Sequence, residues 1–201
     1  MEYIYSPQTS ESISLEVESS PVWETILGIA GYTHTELRHT FDLDESWAAG
    51  RKWMPASLVD RLEVIGKTNL WYGLIMLQNE LSAFSIPDFL NGLSEMPSQL
   101  FYETLMPYKD RKTERCRKAA AGQHQAAIEN YASFFNDHPY LAGYVREVGG
   151  RSQKALCEIF IQVLVEWHEW VSGQEEWEKW NRALASEHKR QSALNLVNPI
   201  E

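Results

Sequence analysis

Prolines at positions 55, 87, 97, 107 and 139 cut the middle of this 201-residue chain into helical pieces too short for a straight bundle. Proline has no N–H to continue a helix, and its ring clashes with the turn before it. Between these breaks apolar residues recur at helical spacing. Leu58, Leu62 and Ile65 form one stripe, Phe89, Leu90 and Leu93 a second, and Leu100, Phe101, Leu105 and Met106 a third. Short helices turned at prolines pack most readily as an irregular orthogonal array. The expected fold is therefore mainly α, about eight to ten helices, with one short N-terminal β-strand where Ile13, Leu15 and Val17 alternate with polar residues.

Helix boundaries follow from capping chemistry. Ser20 is a good N-cap, Pro21 suits the first helical position, and Glu24 sits early enough to favour the helix dipole. Ser85 with Pro87 and Asp88 repeats that logic, and Ser152 is placed to cap a long helix running to about Val171. Gly31 is expected to end the first helix, Asn69 to interrupt before an apolar helix from Trp71 to Leu81, and Gly149-Gly150 and Gly173 to mark further breaks. A polar helix is expected from Glu175 to about Leu196. These signals divide the chain into a strand and short-helix array over 1–108, a basic connector over 109–122, and a long-helix part over 123–201, packed together as one unit.

Charge and cysteine content narrow the function classes. The net charge is −10, and the one basic run, Lys109 to Lys118, carries six bases against Asp110 and Glu114. An acidic chain repels a phosphate backbone, so no direct nucleic-acid binding by this chain alone is expected. Cys116 and Cys157 form no C-x-x-C pair and read as reduced thiols of a cytoplasmic protein. The N-terminus lacks the pattern of an export signal and no apolar stretch is long enough to span a bilayer, so no membrane association is expected.

Signatures of common enzyme sites are missing: there is no G-x-S-x-G, G-x-x-x-x-G-K-[ST], G-x-G-x-x-G or H-E-x-x-H. No catalytic residue, metal site or cofactor is expected, although a small-molecule enzyme built on a spatial constellation stays open as an alternative. His34, Glu36 and His39 are the tightest histidine group, but positions five apart do not share a helix face. His168 reads as an interfacial residue, and Gly149-Gly150-Arg151-Ser152 as a loop leading into a helix. The candidate ligand-binding or interface residues are Trp167, Trp170, Trp177 and Trp180, which span an arc of about 140° on a continuous helix at roughly 100° per residue. They either lock the terminal helices onto the body or a partner subunit, or wall a pocket for a small apolar or aromatic ligand.

A strand leading into Ser20-Pro21-Val22-Trp23-Glu24, a downstream Trp47, the run Ile86-Pro87-Asp88-Phe89-Leu90 and a long aromatic helix near Trp167 resemble the N-terminal region of certain bacterial ArsR-type winged-helix transcriptional regulators. The resemblance implies a helical sensor and dimerisation module, acting as a homodimer by population shift, with the DNA reader following it. Nothing after Leu196 could supply a winged helix, so that reader is expected outside this chain. A stand-alone helical protein-interaction module is the alternative reading.

Overall fold

The computed structural model describes residues 20–34, 53–173, 178–179, 182–183 and 185–190. The expected strand at Ile13–Val17, and Trp47, lie outside them. Between residues 20 and 173 the described chain forms nine helices and no strand. They are α1 (Pro21–Thr33), α2 (Ala56–Thr68), α3 (Trp71–Leu81), α4 (Ile86–Glu95), α5 (Ser98–Leu105), α6 (Glu114–Ala121), α7 (Gln125–Ser133), α8 (Leu141–Gly149) and α9 (Gln153–Ser172).

The caps act where capping chemistry places them. Ser20 Oγ accepts from the Trp23 N–H at 3.2 Å, and Ser152 Oγ from that of Ala155 at 3.3 Å. Ser85 Oγ accepts from the Asp88 N–H at 3.2 Å while donating to Asp88 Oδ2 at 2.6 Å, so cap and first turn bind each other. Asn69 closes α2 in the left-handed region at φ 56°, the conformation asparagine tolerates best among non-glycine residues.

One boundary differs from the sequence expectation. Gly31 does not end α1: it is buried, its φ is not positive, and the helix runs on to Thr33, whose hydroxyl donates to the Ile29 carbonyl at 2.8 Å. Past α6, Gln123 takes the left-handed conformation at φ 59°. There the Gln123 amide donates to the Arg151 carbonyl at 2.9 Å, a contact glycine could not make.

One hydrophobic cluster joins all nine helices. Helix α1 packs against α2, α3, α4 and α9, and α9, the longest at 20 residues, packs in turn against α2, α4 and α5. Helices α6, α7 and α8 follow one another in space as in sequence, and α8 returns to α2 and α5. Val22, Ile26 and Ile29 of α1, Leu58, Leu62 and Ile65 of α2, and Phe160, Val163 and Leu164 of α9 are all essentially sealed from solvent. Burying such a side chain contributes about 1.5–3 kcal/mol each. The stripe residues of the separate helices therefore define one common interior.

Phenols inside this interior make stability fall in alkali. Tyr131 donates its hydroxyl to the Pro107 carbonyl, and burial pushes its pKa up to about 12; burial also holds the Tyr144 phenol well above its ordinary value. An unfolded phenol titrates near 10. As pH rises above about 10 the unfolded chain loses protons that the folded chain keeps, so each such phenol lowers stability by about 1.4 kcal/mol per pH unit until its folded form ionises. The stabilising contribution is complete below pH ~10. Urea midpoints should therefore drop steeply between pH 10 and 11, and Tyr131→Phe should flatten that drop. A pH-independent midpoint across this range rules the account out.

Candidate functional site

Among the described residues, the largest gathering of rings that carry polar atoms lies where the end of α1, the start of α3 and the approach to α8 meet. Three local breaks place it there. His34 is the C-cap of α1, Trp71 and Tyr72 open α3 directly after the Asn69 turn, and His138 to Tyr140 form the turn into α8. The Trp71 ring centroid lies 5.1 Å from that of His34 and 5.3 Å from that of Tyr140. Tyr140 also meets His34 at 5.9 Å and His138 at 4.5 Å, both edge to face. Tyr72 extends the cluster inward to Tyr144 at 5.1 Å. Edge-to-face contacts of this kind contribute about 0.5–1.5 kcal/mol each beyond the area they bury.

Its polar atoms are unequally satisfied. Tyr144 donates to the Leu105 carbonyl at 2.9 Å, but the Trp71 indole nitrogen is buried with no hydrogen-bond partner, and so is His138 Nδ1. Trp71 is only 8% exposed. An indole N–H can only donate, and leaving such a buried donor without an oxygen costs about 1–3 kcal/mol. Edge-on packing against neighbouring ring faces returns a part of that. Burial raises the pKa of Tyr72 and Tyr140, so both phenols stay protonated at neutral pH. Tyr72, Tyr140, His34 and His138 are each half-buried, whereas Trp71 is buried among them.

The tryptophans singled out from sequence are placed differently. Trp167 is 1% exposed and lies against α1, edge to face with Tyr32 at 5.8 Å and with the half-buried Trp170 at 5.4 Å. A Cβ added at Gly28 would sit 2.9 Å from the Trp167 ring, so α1 and α9 touch closely there. Trp177 and Trp180 lie outside the described residues. Helix α9 stops at Ser172 with Gly173 as its C-cap, where the sequence places a break.

Other sequence candidates fall into structural roles. His168 Nδ1 lies 3.4 Å from Thr25 Oγ1, linking α9 to α1. Glu166 accepts from Arg61 Nε at 2.7 Å, and Gln162 accepts from the same guanidinium, tying α9 to α2. In the basic run, Lys109 donates to the Phe134 carbonyl, and Arg117 engages the Glu103 carbonyl together with the Glu114 carboxylate at 2.8 Å. Arg111, Lys112, Arg115 and Lys118 lie on the surface, Lys118 3.9 Å from the Glu114 carboxylate. Arg151 pairs with Glu147, and the Ser152 hydroxyl is used by α9. Glu36 and His39 lie outside the described residues, among which no three metal-ligating side chains gather. No helix among the described residues is long and apolar enough to cross a membrane.

Sequence reasoning missed the Trp71 cluster. Its only local trace is that aromatic and histidine residues sit at three helix ends, His34, Trp71-Tyr72 and His138-Pro139-Tyr140. No family model, curated protein or solved structure matches the chain.

Proposed function

We propose that this chain is a helical sensing and association module of a bacterial transcriptional regulator, and that the Trp71 cluster is its ligand site. The observation that carries the sensing half is a buried indole N–H without an acceptor, set where α1, α3 and α8 meet. A ligand bound there touches three helices at once, so it favours whichever arrangement of them it fits best. The regulatory half, and the homodimer that goes with it, rests on the resemblance of Ser20–Glu24, Ile86–Leu90 and the aromatic helix near Trp167 to ArsR-type regulators. The acidic balance fits a module that leaves DNA contact to a separate reader.

Ligand-observed NMR on the full chain with a set of single-ring aromatic compounds tests the sensing half. Saturable binding is expected, weakened about tenfold or more in Tyr140→Ala, which removes the ring shared by Trp71 and both histidines. If no compound saturates, or if the variant binds as the parent does, the cluster is not a ligand site.

A further inference from the structure

We infer that the ligand of the Trp71 cluster is a planar, largely apolar molecule carrying a hydrogen-bond acceptor oxygen, a carbonyl or a carboxylate, which takes the Trp71 indole N–H. This rests on the sensing reading above and adds the chemistry of what is sensed.

The lining selects for an acceptor. The side chains gathered around Trp71 are rings, Tyr72, Tyr140, His34 and His138, whose faces favour a flat apolar body. The buried Trp71 indole nitrogen lacks a hydrogen-bond partner and can do nothing but donate. The Tyr144 hydroxyl does not compete for the same oxygen, because it is already committed to the Leu105 carbonyl. His138 Nδ1, also buried and without a hydrogen-bond partner, supplies a second polar atom beside Tyr140.

The alternatives fit less well. A ligand with no acceptor leaves the indole as it found it and gains only packing. A site that offers a buried donor discriminates strongly against the analogue that cannot meet it.

Access explains how binding reports itself. The indole nitrogen is closed to solvent, whereas Tyr140 is half-buried and precedes α8 by one residue. An oxygen reaches the nitrogen when Tyr140 turns aside, and that movement is passed to the first turn of α8.

The test titrates toluene, benzamide, benzoate and benzylamine into the isotope-labelled full chain and follows the Trp71 indole N–H resonance, identified by its loss in Trp71→Phe. Benzamide and benzoate should shift that resonance downfield with saturation and bind about tenfold tighter than toluene. Trp71→Phe, which keeps a ring but removes the donor, should bring both down to the toluene level. Tighter binding of benzoate than benzamide identifies a carboxylate as the natural acceptor, and the reverse order identifies a neutral carbonyl; either supports the inference. Toluene or benzylamine binding as tightly as benzamide overturns the inference and leaves the sensing reading standing. Benzamide binding that leaves the indole resonance unmoved overturns it as well. If none of the four compounds binds, both fail.

Discussion

Trp167→Ala should lower the stability of this protein by about 3–5 kcal/mol, the range for removing a buried tryptophan or phenylalanine from a core. Trp167 is among the largest fully buried side chains, and its ring fills the space between α9 and α1. Alanine would leave a void lined by Gly28, Tyr32 and Trp170. Gly28 has no side chain to collapse into it, and Tyr32 and Trp170 met the lost ring with their edges or faces, so relaxation is limited. A small domain holds only about 5–15 kcal/mol in total, which makes this loss a large share of the whole. Guanidinium denaturation followed by circular dichroism measures it, with the slope checked for constancy. A drop below about 1 kcal/mol contradicts the packing described here. The same contact predicts coupling: Gly28→Ala should be harmful alone and milder in Trp167→Phe, where the smaller ring gives room.

Two glycines of α8 should respond to the same substitution with opposite signs. A Cβ at Gly149 would come within 2.7 Å of both Cγ1 and Cδ1 of Ile128, and within 2.9 Å of Cγ2. The conflict involves the whole Ile128 side chain, which is itself sealed in the core, so rotating one methyl group does not relieve it. Overpacking of this kind costs about 1–3 kcal/mol, while glycine to alanine in a helix returns at most about 1 kcal/mol. Gly149→Ala should thus be destabilising by about 1–2 kcal/mol net. At Gly143, exposed on the same helix, an added Cβ meets nothing within 4 Å, and Gly143→Ala should stabilise by about 0.5–1 kcal/mol. Ile128→Ala should remove most of the penalty at Gly149 and leave Gly143→Ala unaffected. Equal effects at the two positions, measured by thermal unfolding, contradict the packing of α7 against α8.

Much of the helical frame was legible because its signals are local. A serine hydroxyl three residues before an orphan N–H, a proline at a first turn and an asparagine able to turn left-handed act through their immediate neighbours, and Ser20, Ser85, Ser152 and Asn69 all mark helix ends. Gly31 failed as a stop signal because burial of α1 against α2 and α3 extends the helix through it. The Trp71 cluster was not legible, since its rings come from segments as far apart as His34 and Tyr144 and only the packing of α1, α3 and α8 brings them together. The end of α9 was legible too, since Gly173 stands where the helix stops.

The pairing of α1 with α9 sets a timetable for synthesis. Thr25 and His168 meet although 143 positions separate them, and at roughly 5–20 residues per second the ribosome needs on the order of 7 to 30 s to make that stretch. During that interval α1 can find α2 and α3, but the groove at Gly28 stays open to the cell until Trp167 emerges. The nascent protein therefore carries an uncovered greasy seam through most of its translation, and that seam is what a chaperone would recognise.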